Sequence, residues 1–210
     1  MKNILIFCLM LLEIPACIAT AEAPEINEMT LKQRILIWDN DGTVTGSKDP
    51  NDSASQAKVI LPGVEQAMAK ADFNCIISGF KSPESEAQNF DPDKVATKFI
   101  DLMGNLPIRA AAFSPSIGGV ACYVVIKKYD ESIIIKKAHE DPRYEKHIGE
   151  FKKPGIGMFV VMRDLVREEF GHVIDEHTSI MIGDTWHDEA AATSFGIPFM
   201  AAKVVHGLEH

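Results

Sequence analysis

Short apolar runs alternate with amphipathic and polar stretches along most of this chain. Leu31–Trp38, Phe73–Ile77, Ile108–Phe113, Ile180–Gly183 and Ile197–Ala201 have the length and composition of strands buried on both faces. Between them lie helical patterns. Leu61-Pro62-Gly63 opens a helix through about Ala71, and within Ser82–Met103 the side chains Val95, Phe99, Leu102 and Met103 fall on one helical face. Pro154 suits a first helical residue and Gly171 a stop, and His187–Ser194 predicts a further helix. Val120–Lys128 and Ser132–Lys137 flank a Tyr-Asp-Glu turn and predict a β-hairpin insertion. Thr45–Gln56 is polar and turn-rich, a small flap rather than a core element. Strands alternating with helices predict an α/β fold, a doubly wound parallel sheet covered on both faces.

The chemistry-bearing residues stand where the apolar runs end. Asp39 and Asp41 follow the first run in Asp39-Asn40-Asp41-Gly42-Thr43, with Gly42 giving the chain a sharp turn. Asp184 and Asp188 follow the fourth, and Ser78 ends the second. In a parallel sheet, residues just past the carboxyl ends of strands face the ligand crevice. Carboxylates gathered there are unfavourable unless a cation or a proton relieves them. With Lys153-Pro154 opening a helical pattern, these positions describe a magnesium-dependent site with an aspartate nucleophile.

In this order, Asp-x-Asp-Gly-Thr at 39–43, Ser78, Lys153 and Gly-Asp-x-x-x-Asp at 183–188 resemble the four motifs of the haloacid dehalogenase-like (HAD) phosphatases. The resemblance covers most of the chain after about residue 30, and four ordered motifs are far more specific than one. It implies that Asp39 attacks phosphorus to form an aspartyl-phosphate. It implies that Asp41 protonates the leaving oxygen and then activates water. An acid at 41 favours phosphoester hydrolysis over dehalogenation or ion pumping. The Asp39 and Asp184 carboxylates and the Asp41 backbone carbonyl would hold Mg²⁺, an all-oxygen set that suits a hard cation. Asp188 would stand one layer out and steer a water or Lys153, although a carboxylate at a helix N-terminus is an equally ordinary reading.

Lys153 would neutralise the intermediate, orient Asp39 and bind substrate. Its neighbour Lys152 is the less favoured lysine, because the family pattern places proline directly after the functional one. Ser78 and Gly79 would hold the transferring phosphoryl group. Asn40 and Thr43 would shape the loop. Trp186 and His187 would ordinarily pack or face solvent, with a place at the site's mouth as the alternative. About twenty residues separate Asp41 from Leu61 and about seventy-five separate Ser78 from Lys153, most of the latter taken by core elements. No large cap domain is expected, and the site resembles that of the capless branch. An open site favours phosphoproteins, phosphotyrosine above all. A small-metabolite phosphatase for a sugar phosphate or nucleotide is the alternative, and a non-catalytic phosphate-binding protein on the same fold is the second.

Composition adds limits. The chain of 210 residues accommodates one domain over about 30–205, with a tail at 206–210 that is native or a cloning remnant. A net charge of −9 argues against a nucleic-acid backbone as main partner, which would call for a basic stripe. Cys75 and Cys122 sit in apolar runs and read as buried thiols. Residues 1–29 begin with Lys2, a short apolar run and Ala19-Thr20-Ala21, a pattern of bacterial export signals. The expectation is an exported protein, with Cys17 as a lipid-attachment candidate, against the alternative of a docked N-terminal helix on a cytoplasmic enzyme. The apolar run is too short to span a bilayer.

Overall fold

Ile35–Trp38 (β1) is four apolar residues long and buried throughout, as a central parallel strand requires. In the computed structural model, which describes residues 35–47, 58–79, 91–115 and 118–208, β1 lies between two parallel partners. These are Phe73–Gly79 (β4) and Ser179–Gly183 (β8). Ala110–Ser114 (β5) extends the parallel set beyond β4, and Phe199–Ala201 (β9) extends it beyond β8. A separate two-stranded ribbon, Thr45–Ser47 (β2) against Lys58–Ile60 (β3), follows β1. The flap reading missed that ribbon, and its residues 48–56 lie outside those described.

Side-chain alternation along the strands divides the core into two layers. Ile35, Ile37, Cys75, Ile77, Ala110 and Ala112 face Met158, Phe159 and Met162 of Gly157–Phe170 (α3) and Ala191 and Ala192 of Trp186–Phe195 (α4). Leu36, Trp38, Ile76, Ala111 and Phe113 face the other way. They meet Val64–Met68 (α1), Phe99 and Met103 of Pro92–Asn105 (α2), and Val205 of Ala202–Val205 (α5). Both sheet faces are covered, and the fold is a doubly wound, Rossmann-like α/β sandwich. Cys75 and Cys122 are free and buried, and burial raises both thiols well above their ordinary pKa. No helix among the described residues is long and apolar enough to cross a membrane.

Two expectations change. The hairpin is not an insertion standing off the core, because Tyr123–Lys127 (β6) pairs antiparallel with β5 and Ile133–Lys137 (β7) pairs with β6. The sheet therefore has seven strands in the order β7-β6-β5-β4-β1-β8-β9. Phe113 at the carboxyl end of β5 pairs with Tyr123, whereas Lys127 donates to the Arg109 carbonyl before β5. The hairpin turn consequently lies at the end of the sheet away from the crevice and cannot form its rim. The second change is at Pro154, which is not the first helical residue. Gly155 N–H donates to the Lys152 carbonyl and Gly157 N–H to the Glu150 carbonyl, so a tight turn precedes the helix. That turn aims Lys153 inward before α3 begins. Gly171 does end α3, in the left-handed region.

The N-terminal segment expected over 1–29, Leu31–Arg34 of the first run, 80–90 of the segment before α2 and residues 209–210 lie outside the described residues. The described part of the tail includes His206, whose Nε2 lies 2.9 Å from the Thr43 carbonyl.

Asn74 ties the layers together. Its carbonyl accepts from the Trp38 indole at 3.1 Å, and its amide donates to the Met68 carbonyl at 3.0 Å, all buried. Asn74→Ala should lower unfolding free energy by about 2–4 kcal/mol, because it leaves two buried groups unpaired. Urea denaturation checks this, and a loss under about 0.5 kcal/mol would refute it.

Candidate active site

The registers of β1, β4 and β8 bring three chain segments to one edge. Trp38 is level with Ile76 and Ile182, so Asp39, Ser78 and Asp184 all emerge at the carboxyl ends of neighbouring strands. Asp39 N–H still donates to the Ile182 carbonyl at 2.9 Å, which fixes it against β8. The chain then winds around the Asn40 carbonyl, which accepts from the N–H groups of Val44 and Thr45 at 2.9 Å each. Asn40 shapes the loop in this way, and Thr43 is fully buried within it.

Glycines make room for the acids. Gly42 has φ +86°, and a Cβ on it would lie 2.3 Å from Asp184 Oδ2. A Cβ on Gly183 would lie 2.5 Å from Asp188 Cβ. The invasion of these two spaces by carboxylates explains why Asp-x-Asp is followed by glycine and why the second acidic pair is preceded by one.

Lys153 occupies the centre. Its ammonium donates to Asp39 Oδ1, to Asp188 Oδ1 and, at 3.1 Å, to the Ile77 carbonyl. Asp39, Lys153 and Asp188 are all buried. Burial pushes the Asp39 carboxyl up to about 6; Lys153 pulls against this and Asp188 adds to it. Burial pulls the Lys153 pKa down, but Asp39 and Asp188 outweigh it and hold it above the ordinary value.

Asp188 serves two readings with two oxygens. One accepts from Lys153, and the other accepts from the Thr185 N–H at 3.0 Å and the Thr185 hydroxyl at 2.7 Å, closing the first turn of α4. Asp39 Oδ2 carries no hydrogen bond among the described residues. The Asp41 carboxylate is half-exposed, 3.2 Å from Lys58 Nζ of β3. Asp39, Asp41, Ser78, Gly79, Lys153, Asp184 and Asp188 all border one cavity of about 140 Å³, together with Lys152, Thr185 and His187. Thr185, Lys152, Lys58 and His187 were passed over or ranked low in sequence. Of these only Thr185 has a local signature there, a hydroxyl three residues before an acid at a helix start. His187 stacks on Trp186 with ring centroids 3.8 Å apart, and Trp186 itself is 65% exposed.

The donor set fits a divalent cation. Four carboxylates border the cavity against two ammonium groups, and oxygens of Asp39, Asp184 and Asp188 lie within 4.8 Å of one another. Both Asp188 oxygens are engaged, so Asp39 and Asp184 are the side chains best placed to hold the ion. Oxygen-only donors suit Mg²⁺.

No protein-family model matches this chain, and no curated protein does. Among solved structures it is similar to one described as a possible sugar phosphatase of the HAD superfamily, from Cytophaga hutchinsonii. The TM-score is 0.41 and the identity 13%, over 84% of this chain and 86% of that one.

Mg²⁺ should raise the melting temperature at pH 7.5, and the shift should shrink by pH 5. The sign follows from Asp39. Its folded pKa of about 6 exceeds the ordinary 3.8, so between those values the folded protein holds a proton that the unfolded chain has released. This proton favours the metal-free fold and competes with the metal. Differential scanning fluorimetry with and without EDTA checks it; an equal shift at both pH values would count against Asp39 as a ligand.

Proposed function

We propose that this protein is a Mg²⁺-dependent phosphomonoester hydrolase with Asp39 as nucleophile, open enough to act on phosphoproteins, phosphotyrosine in particular. The observation that carries the reading is the buried Asp39–Lys153–Asp188 cluster beside Asp41 and Asp184, at the carboxyl ends of parallel strands. Lys153 counters the burial that would otherwise protonate Asp39, and it keeps Oδ1 turned inward so that Oδ2 is the free oxygen. Asp39 Oδ2 attacks phosphorus, the P–O bond to the leaving group breaks, and the departing oxygen takes a proton from Asp41. Asp41 then removes a proton from the water that splits the aspartyl-phosphate and releases inorganic phosphate. Asp39 and Asp184 would hold Mg²⁺, which would supply neutralisation of the phosphoryl group's negative charge.

The size of the site supports a macromolecular substrate. A cavity of about 140 Å³ suits a phosphoryl group and its cation, well below the volumes that enclose whole small ligands. The carrier then rests outside, where the indole of Trp186 stands exposed over His187. An aromatic carrier can stack there, and phosphotyrosine is the longest of the common phosphorylated side chains.

Asp39→Asn should abolish turnover with the fold intact, because an amide is a poor nucleophile; activity above about a few per cent would sink the assignment. Asp41→Asn should lose hydrolysis yet still bind beryllofluoride at Asp39, which ¹⁹F NMR detects. Across aryl phosphates, phosphopeptides, sugar phosphates and nucleotides, kcat/KM should be highest for phosphotyrosine peptides. A small metabolite better by about tenfold, or 1.4 kcal/mol of transition-state binding, would move the assignment to metabolism.

A further inference from the structure

An ammonium group has three protons to donate. All three of Lys153 are spent inside the protein, on Asp39, Asp188 and the Ile77 carbonyl. The incoming phosphoryl group therefore finds no free proton on the lysine that the motif pattern singles out. Lys152 borders the same cavity and is only partly buried, and its ammonium makes no hydrogen bond or ion pair among the described residues. A Cβ placed on Gly79 would lie 3.7 Å from Lys152 Cγ, so the lysine stem runs against the Ser78–Gly79 end of β4. Its backbone is well fixed. Phe151 on one side is fully buried and donates to the Gly119 carbonyl, and Lys153 on the other is anchored by its three bonds.

We propose that the two adjacent lysines divide the work, Lys153 positioning Asp39 and Lys152 binding the substrate's phosphoryl group. The ligand class is a phosphate dianion, and the inference rests on the hydrolase reading above. Charge supports this division. Lys153 lies between two carboxylates and presents little net positive charge outward, whereas the Lys152 ammonium is in no ion pair among the described residues and stands on the side where Ser78 and Gly79 border the cavity. Lys152 and Mg²⁺ would then bring opposite charge to the phosphoryl group from two chemically different sources.

The test uses Lys152→Gln and Lys152→Arg in the full chain, with Mg²⁺ present. The expected result is that Lys152→Gln weakens inorganic phosphate binding, measured calorimetrically, and raises KM for a phosphotyrosine peptide. Each should change by about tenfold or more, the usual loss of a charge-assisted hydrogen bond. The melting temperature and the Mg²⁺-induced melting shift should stay near wild type. Lys152→Arg should restore most of the affinity, and the salt dependence of KM should flatten in Lys152→Gln alone. Unchanged phosphate affinity in Lys152→Gln would overturn the proposal. So would a raised peptide KM with unchanged phosphate binding, which would assign Lys152 to the carrier, or a lowered kcat at constant KM. The wild-type protein separates this from the underlying reading. Phosphate binding without turnover would refute hydrolysis and leave Lys152 judged on binding alone; neither binding nor turnover would refute both.

Discussion

One buried ammonium organises this protein. Lys153 draws on the carboxyl end of β1 through Asp39, on β4 through the Ile77 carbonyl, and on α4 through Asp188, while itself standing just before α3. Any one of these charges alone in a dry interior would be strongly unfavourable, and removing one partner leaves the others uncompensated. The cluster is therefore a poor device for stability and a good one for register. Strand β1, strand β4, the turn before α3 and the first turn of α4 have few relative placements that satisfy every member at once.

The cluster also sets the division of labour around the cavity. Because Asp188 uses one oxygen on Lys153 and the other on Thr185, it is held too firmly to turn toward a ligand. Asp39 gives up only one oxygen to Lys153, and its other oxygen carries no hydrogen bond among the described residues. Asp41 stands outside the cluster, half-exposed beside Lys58, and is free of these demands. Position relative to a single cation thus gives three chemically identical side chains different surroundings.

The sequence carried most of this, and the parts it hid have physical causes. Strands such as Ile35–Trp38 were legible because burial on both faces demands unbroken apolar runs, and Asp39, Asp184 and Asp188 because their types follow those runs directly. The start of α3 was misplaced because Pro154 fits a helix N-terminus locally, whereas its true setting is governed by where Lys153 must reach, 114 residues away in sequence from Asp39. The hairpin was recognised as a hairpin, but alternation along Val120–Lys137 does not say which sheet edge it joins. Lys58 could not be read at all. It meets Asp41 only because β2 and β3 pair, and short polar strands such as Thr45–Ser47 resemble loops.

The contacts that close the site span long stretches of chain, 114 residues from Lys153 to Asp39 and 35 from Lys153 to Asp188. Closing such loops is entropically unfavourable until the intervening strands are in order. A partly assembled sheet would leave Asp39 or Asp188 in water, apart from Lys153. The cluster is therefore whole only when β1, β4, β8 and α4 are all in place. Local opening of any one of these elements would part the buried charges and let water in among them, even while much of the hydrophobic core stays packed.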